Sequence, residues 1–500
     1  MAISELADVR KKFEDALSRL DELIDRLREE RERIRREFEE RLDQLMVGKV
    51  DLTQLETFLE EPYVILPKGK DEFYVVVPKW VDFHVGWLEH QTRSYNIFVV
   101  NRYMQWITPI PAKLRERLKF PKLPPLKVFD GYLLTGKAYQ DEAWRRYRRF
   151  LVRREGEDRI KIRRGYEFQL IAQLIEDGIL PFIPKPVEDG DIRDAKLPFE
   201  LRDYQKEWWK KFRELGAVGI FAPFGSGKSL FGMYLLARLK GPKLVIVPTL
   251  TLKEQWLERI EKFLPLHAHE IRVETYHSYH KVKDREWTLV IYDECQHLPA
   301  NTYIRLATIK AKYRVGLSGS PFREDHREHY IFALTGFPLG VDWSYFIETG
   351  VVKKPAFKLY IVDGERGKLR LLEELLKIPV KTIIFCDWLK LGEKISKRFG
   401  IPFVYGETKK RMEILRQAQA VVVSRVADEG VSLPDIERVI EVAFLYGSRM
   451  QESQRFGRLM HALREEPEHI IIMTEEEYQR YSKRLYAIVE RGFRIEIVRV

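Results

Sequence analysis

Two stretches of this 500-residue chain combine residue types and spacings that chemistry can use. The first is "APFGSGKS", Ala222 to Ser229, preceded by an apolar run and followed by an amphipathic one. A strand, a glycine loop and a helix start, in that order, aim several backbone N–H groups at one point, which is a cradle for phosphate oxygens. Gly225 and Gly227 let the backbone curl without a Cβ in the way, and Pro223, Phe224 and Ser226 complete the loop. Lys228 offers charge to the outer phosphates, and Ser229 offers an oxygen to Mg2+. The second stretch is "IYDECQHLPA", residues 291–300, where an apolar run meets the adjacent acids Asp293 and Glu294. Paired carboxylates at a strand end can hold a metal, close a salt bridge or polarise a water. The phosphate loop upstream selects among these: Asp293 orients Mg2+ and its waters, and Glu294 polarises the attacking water. His267, His269, His277 and His280 have no companion Cys or acids at ligand spacing and read as solvated or packed.

These residues need a scaffold that brings loops together. From residue 198, buried-strand patterns ("GIFAPF", "KLVIVP", "WTLVIYDE", "RVGLSGS") alternate with helical ones, and the alternation resumes with "TIIFCDWLK", "AVVVSRVADEG", "RVIEVAF" and "HIIIMT". That grammar predicts an α/β fold of two tandem, doubly wound parallel-sheet domains, residues 198–345 and 346–500. Residues 48–197 predict an auxiliary α+β domain, rich in aromatics from Phe73 to Trp106, for which core packing is the commoner fate. Its segment 144–164 holds 10 basic and 3 acidic residues and predicts a basic helix. Arg145, Arg148 and Arg149 would contact nucleic acid there; the alternative is a solvated amphipathic helix packing Trp144, Tyr147, Phe150 and Leu151.

Residues 1–46 contain neither Pro nor Gly, and Leu6, Val9, Phe13, Ala16, Leu20, Leu23, Leu27 and Ile34 trace a 3-4 seam that shifts register at Phe38. Residues 1–47 therefore predict a long charged helix and coiled coil, serving self-association or a partner protein, because so thin a stripe does not fold alone. Apolar content of 45% and charged content of 33% describe a globular chain. No run approaches the apolar length of a membrane span, so no membrane partner is expected. Two cysteines exclude a disulfide framework and point to a reducing, cytoplasmic compartment, and the Cys-poor, charge-rich composition also suits a thermophile. The net charge of +11 favours a polyanionic partner.

With "APFGSGKS", "YDECQH", "VGLSGSPFRED", "VADEGVSLPDIERVIEV" and "ESQRFGRLMHA" in this order, the chain from residue 198 resembles superfamily 2 helicases, and most of all their XPB-like DNA helicases and translocases. The resemblance implies two RecA-like domains, ATP and Mg2+ as cofactors, and sequence-independent DNA as partner. It implies that Gln205 of "LRDYQ", helped by Arg202, reads adenine. Ser318 and Ser320 would couple ATP state to the DNA track, and Thr249, Thr275, Ser424 and Arg425 would touch the DNA backbone. Asp428, Glu429, Gly430 and Gln454 would face the nucleotide from the second domain. Arg455 and Arg458 would reach across the cleft, Arg458 as the arginine finger. Arg323, Glu324 and Asp325 match an element linked in that family to duplex opening; the alternative is a solvated loop.

Two positions depart from the pattern: Gln296 stands where relatives carry His, and His461 where they carry Arg. Two other readings stay open, a helicase-derived ATP switch that assembles partners and an RNA-directed helicase of the same superfamily. Loss of a permanent cation at residue 461 predicts a slow or partner-activated ATPase. His461→Arg is expected to raise the DNA-stimulated rate of ATP hydrolysis, and an unchanged rate would remove this expectation's support.

Overall fold

The computed structural model describes residues 62–500, apart from 70, 107–109, 121, 299, 322, 324, 341–342, 407, 409–410, 425–435, 446–447 and 462–465, together with five helical positions, Arg33, Arg36, Glu37, Glu40 and Arg41. The expected coiled coil of residues 1–47 lies, save those five, outside the described residues. Among the described residues no helix is long and apolar enough to cross a membrane.

The chain divides into two compact units, Met1–Val100 and Asn101–Val500. The auxiliary stretch 48–197 straddles this division and carries two separate antiparallel sheets rather than one. The first holds β1 (Val64–Gly69), β2 (Glu72–Pro78), β3 (Trp87–Gln91) and β4 (Tyr95–Asn101), in the order β1-β2-β4-β3. Trp87, Tyr95 and Phe98 are buried there, as core packing requires, whereas Trp80 is exposed.

The second unit begins with the sheet of β5 (Lys127–Phe129), β6 (Tyr132–Leu134), β7 (Leu151–Glu155) and β8 (Arg159–Ile162), in the order β5-β6-β8-β7. The basic helix expected over 144–164 is not formed. A helix stops at Arg146, a tight turn covers Arg148–Phe150, and β7 and β8 make an antiparallel hairpin. Ile160 and Ile162 alternate with Arg159 and Lys161, a two-residue period that buries one face only in a strand. Gly156, at φ 71°, supplies a left-handed residue between the two strands. Tyr147, Phe150 and Leu151 are nevertheless buried. They close a core with Leu170 and Leu174 of the helix Glu167–Glu176. That helix packs on the helix Glu328–Thr335, where the Phe168 and Tyr330 rings stack at 5.7 Å and 22°.

The remainder is α/β with two wholly parallel sheets. One contains β9 (Ala217–Phe221), β10 (Lys243–Val247), β11 (Ile271–Thr275), β12 (Glu286–Asp293), β13 (Lys310–Ser318) and β14 (Phe337–Leu339), in the order β11-β10-β12-β13-β9-β14. The other contains β15 (Ala356–Ile361), β16 (Thr382–Cys386), β17 (Phe403–Val404), β18 (Ala420–Val423), β19 (Arg438–Ala443), β20 (Glu468–Met473) and β21 (Ile495–Arg499). Their order is β17-β18-β16-β19-β20-β15-β21. β10, β16 and β19 are buried at every residue. Parallel strands covered on both faces require such unbroken burial.

The second sheet also buries charge. Arg455 binds Glu441 at 2.5 Å and Asp387 at 2.7 Å, and Arg484 binds Glu441 at 2.6 Å and Glu452 at 2.7 Å. His469 lies 3.0 Å from Glu441 and 3.1 Å from Glu452, and all these side chains are fully buried. Glu441, Glu452 and His469 are close enough to hold a cation, but two guanidiniums already occupy that role. Burial opposes charge on His469, yet bonds to the two glutamates raise its pKa to about 9. Removing one partner of such a group leaves an uncompensated charge, a loss of about 3–5 kcal/mol, so Glu441→Gln should sharply lower the midpoint of urea unfolding. Because the folded pKa of His469 exceeds its ordinary value of 6.5, its contribution is complete below that value and fades as pH rises through about 9. His469→Gln should flatten the midpoint over that range; a wild-type midpoint constant from pH 6.5 to 9.5 would exclude this linkage.

Candidate nucleotide site and interdomain cleft

In a parallel sheet all strands end at one edge, and loops leaving that edge can share a site. Here the phosphate loop leaves β9, the acid pair closes β12, and Ser318 ends β13, which lies between those two strands. Gly225 and Gly227 take φ 86° and 77°, left-handed angles that the loop needs. Lys228 opens the helix Lys228–Arg238, and its ammonium donates to the carbonyls of Ala222 at 2.8 Å and Pro223 at 2.9 Å. Burial lowers the pKa of this lysine, and the nearby charges of Glu294 and Asp293 oppose that shift. Ser229 is half-buried in the same first turn, and the Ser226 hydroxyl donates to Pro223 O at 2.8 Å.

The expected adenine reader, Gln205, is tied to the loop. Its amide nitrogen donates to Ser226 O at 3.2 Å and Gly227 O at 3.1 Å, and its oxygen accepts from the backbone N–H of Arg202 at 2.9 Å. Arg202 also donates to the Tyr204 hydroxyl, which donates to Ser226 O at 2.7 Å. Gln205 and Arg202 therefore shape the loop backbone in this structure. Tyr204 was not singled out in the sequence, although its place inside "LRDYQ" was a signal.

Asp293 accepts from the Trp256 indole at 2.7 Å and from the Glu294 amide at 3.1 Å. Burial, then the charge of Glu294, pushes its pKa up to about 6. Glu294 sits at φ 48°, an uncommon left-handed angle for a non-glycine residue. Gln296 links the acid pair to β13: its nitrogen donates to Glu294 at 2.5 Å, and its oxygen lies 2.6 Å from the Ser318 hydroxyl. That hydroxyl also lies 2.6 Å from Ser320 O, so two acceptors compete for one proton, while the Ser320 amide donates back to it at 3.1 Å. Arg323 is buried, which excludes the solvated-loop alternative for it. It donates to Gln296 O at 2.7 Å, Leu298 O at 2.8 Å and the Tyr303 hydroxyl at 3.0 Å, and it pairs with Asp325 at 2.8 Å. Glu324 lies outside the described residues.

Among the described residues, side chains meet across the cleft between the two sheets. Gln454 meets His297 Nε2 at 2.8 Å. The Phe224 ring lies between glycines of both domains: a Cβ on Gly319 would stand 2.8 Å from it, and one on Gly457 only 2.3 Å. Both close approaches therefore require glycine. Arg455 does not reach across. Glu441 and Asp387 hold it inside the second sheet's core, because a buried guanidinium stays with its carboxylates. Arg458 is half-buried, its guanidinium 5.8 Å from the Phe385 ring. The side chain of His461, and all of Arg425, Asp428, Glu429 and Gly430, lie outside the described residues.

The expected strand contacts are placed unevenly. Thr249 caps the helix Leu250–Phe263 by accepting from Leu252 N at 3.3 Å. Thr275 ends β11 beside Val247, with Ser278 Oγ at 3.4 Å, so both threonines share the edge of β10 and β11. Ser424 follows β18 and is buried. Arg145, Arg148 and Arg149 lie far along the chain from these edges, on the smaller antiparallel module.

Comparison with known proteins agrees with this layout. The family model of the ERCC3/RAD25/XPB C-terminal helicase matches residues 367–495, and that of the type III restriction enzyme res subunit matches residues 198–285. A putative DNA 3'-5' helicase Rad25 from Halobacterium salinarum is 33% identical over 327 residues, covering 55% of this chain and 54% of that protein. A protein of the same name from Haloarcula marismortui is 31% identical over 365 residues, covering 62% and 58%. The DNA 3'-5' translocase XPB2 of Sulfurisphaera tokodaii is 29% identical over 390 residues, covering 60% and 86%. The chain thus spans little more than half the length of the two Rad25 proteins. From residue 198 onward, the chain is similar to the XPB/Rad25-like superfamily 2 helicases.

Proposed function

We propose that the chain is an ATP-dependent DNA translocase or helicase that hydrolyses ATP in the cleft between its two parallel sheets. The observation that carries this reading is the convergence of Lys228, Asp293 and Glu294 at one sheet edge, linked through Gln296 to Ser318 and faced by Gln454 and Gly457 of the second sheet. The residues fit ATP with Mg2+. The glycine loop leaves room only for backbone, since a Cβ on Gly227 would stand 2.6 Å from Gln205 Nε2, and the buried carboxylate of Asp293 and the half-buried hydroxyl of Ser229 are both hard-oxygen donors. Ser229 and Asp293 would hold Mg2+, which when bound supplies charge neutralisation at the phosphates.

Lys228 must exchange its two carbonyl acceptors for phosphate oxygens, which costs little because both are hydrogen-bond acceptors. Glu294 orients and deprotonates the attacking water. Gln296, bonded to both Glu294 and the Ser318 hydroxyl, connects the acid pair to the end of β13. Loss of the shared phosphate lets the cleft open. Thr249, Thr275 and Ser424 would grip the strand backbone, and Arg458 would supply cleft charge. Backbone gripping makes the affinity sequence-independent and salt-sensitive.

Lys228→Ala is expected to lower DNA-stimulated ATP hydrolysis by about 100-fold or more while leaving DNA affinity in the absence of nucleotide intact; wild-type turnover in this variant would refute the assignment. The raised pKa of Asp293 gives a second test. Mg2+ must displace the proton that Asp293 carries below about pH 6, so the Mg2+ concentration for half-maximal rate should climb as pH falls through that value. Trp256→Phe deletes the bond that favours the charged form and should shift the climb to higher pH. Identical profiles for the two proteins would count against Asp293 as the metal ligand.

A further inference from the structure

The sheet β5–β8 has one face that the mechanism does not use. Val128, Leu133, Ile160 and Ile162 point inward to its core, so the pleat turns their neighbours outward. Cross-strand pairing sets Phe129 opposite Tyr132, Tyr132 opposite Lys161, and Lys161 opposite Arg153, a single row of two aromatic and two basic residues. Phe129 is 59% exposed and the Arg153 side chain 72%. Lys161 Nζ stands 3.8 Å from the centre of the Tyr132 ring, and the Arg159 guanidinium 5.0 Å from it. Residues 127–164 hold 12 Lys and Arg against 6 Asp and Glu, a surplus of six within a chain whose net charge is +11. The helix-side arginines are engaged locally: Arg149 with Gln173 at 2.5 Å, Arg148 with Leu151 O at 3.1 Å and Arg145 with Asp141 O at 3.3 Å, whereas on the sheet face Arg153 makes a solvent-exposed pair with Glu155 at 2.7 Å.

We propose that this outward face binds single-stranded nucleic acid, with bases stacked on Phe129 and Tyr132 and phosphates tracked by Arg153, Arg159 and Lys161. An exposed ring next to a half-buried one, both beside cations, matches a strand that offers π-faces and phosphates together. A duplex keeps its bases stacked on one another and offers this row only phosphates. The site lies outside the cleft, and the proposal draws on the ATPase reading only for the class of partner.

The test is fluorescence anisotropy of the full chain without nucleotide, using a labelled 20-nucleotide oligothymidine and a 20-base-pair duplex. Phe129→Ala combined with Tyr132→Ala is expected to weaken oligothymidine binding by at least about tenfold and to change duplex affinity by no more than about twofold. Tyr132→Phe, which keeps the ring, should bind as wild type. Arg153→Glu with Lys161→Glu should reduce the salt slope for the oligonucleotide by roughly 1.4, the value for two lost phosphate contacts. Unchanged oligothymidine affinity in a double-alanine protein with a wild-type melting temperature would overturn the proposal, as would an equal loss for duplex. Should that protein not fold, Phe129→Ala alone carries the test, with a several-fold loss expected and no loss overturning it. Because the titration contains no ATP, its result is separate from whether Lys228→Ala abolishes turnover.

Discussion

Burying Lys228 puts a positive charge where water cannot solvate it, and the surrounding structure is arranged to compensate. Two loop carbonyls accept its protons and two adjacent carboxylates supply the opposing field. Burial, and then the neighbouring charge of Glu294, raises the pKa of Asp293, since two adjacent acids in a low dielectric cannot both ionise without cost. The loop geometry, the Trp256 bond to Asp293 and the left-handed turn at Glu294 all serve to hold these three charges in place. A phosphate ligand would give Lys228 charged acceptors in place of the two loop carbonyls.

The second sheet solves the problem of buried charge in the opposite way. Arg455, Arg484, His469, Glu441, Glu452 and Asp387 neutralise one another with no solvent access. Such a network is expensive to break but specifies one packing, which suits a body that must move as a unit against its partner sheet. It also explains why two arginines of one short motif, Arg455 and Arg458, have different environments: three residues apart on a helical turn, they lie on adjacent but distinct sides.

Local chemistry was the most legible part of the chain. The phosphate loop and the acid pair are read from neighbours in sequence, and parallel strands announce themselves as unbroken apolar runs, so the α/β sheets of the second unit followed from pattern alone. What was illegible depends on distance. Nothing within "QRFGR" says that Glu441 and Asp387 will claim Arg455, since one comes from β19 and the other from the bend after β16. The hairpin at 151–162 was hidden by its charge: arginine density suggested a solvated helix, while the decisive alternation of Ile160 and Ile162 with basic residues spans only four positions. Gln205 was identified by motif, but its bonds to the loop carbonyls appear only once the chain is folded.

The stacking of Phe168 on Tyr330 continues to a third ring, Tyr303, which lies 6.1 Å and 20° from Tyr330. Tyr303 also receives a bond from Arg323, which holds the carbonyl of Gln296. The three rings form one continuous packed path from the helix that supports the small antiparallel module to the turn that follows the acid pair. A displacement of that module would therefore reach, through three rings and one guanidinium, the turn that follows Asp293 and Glu294.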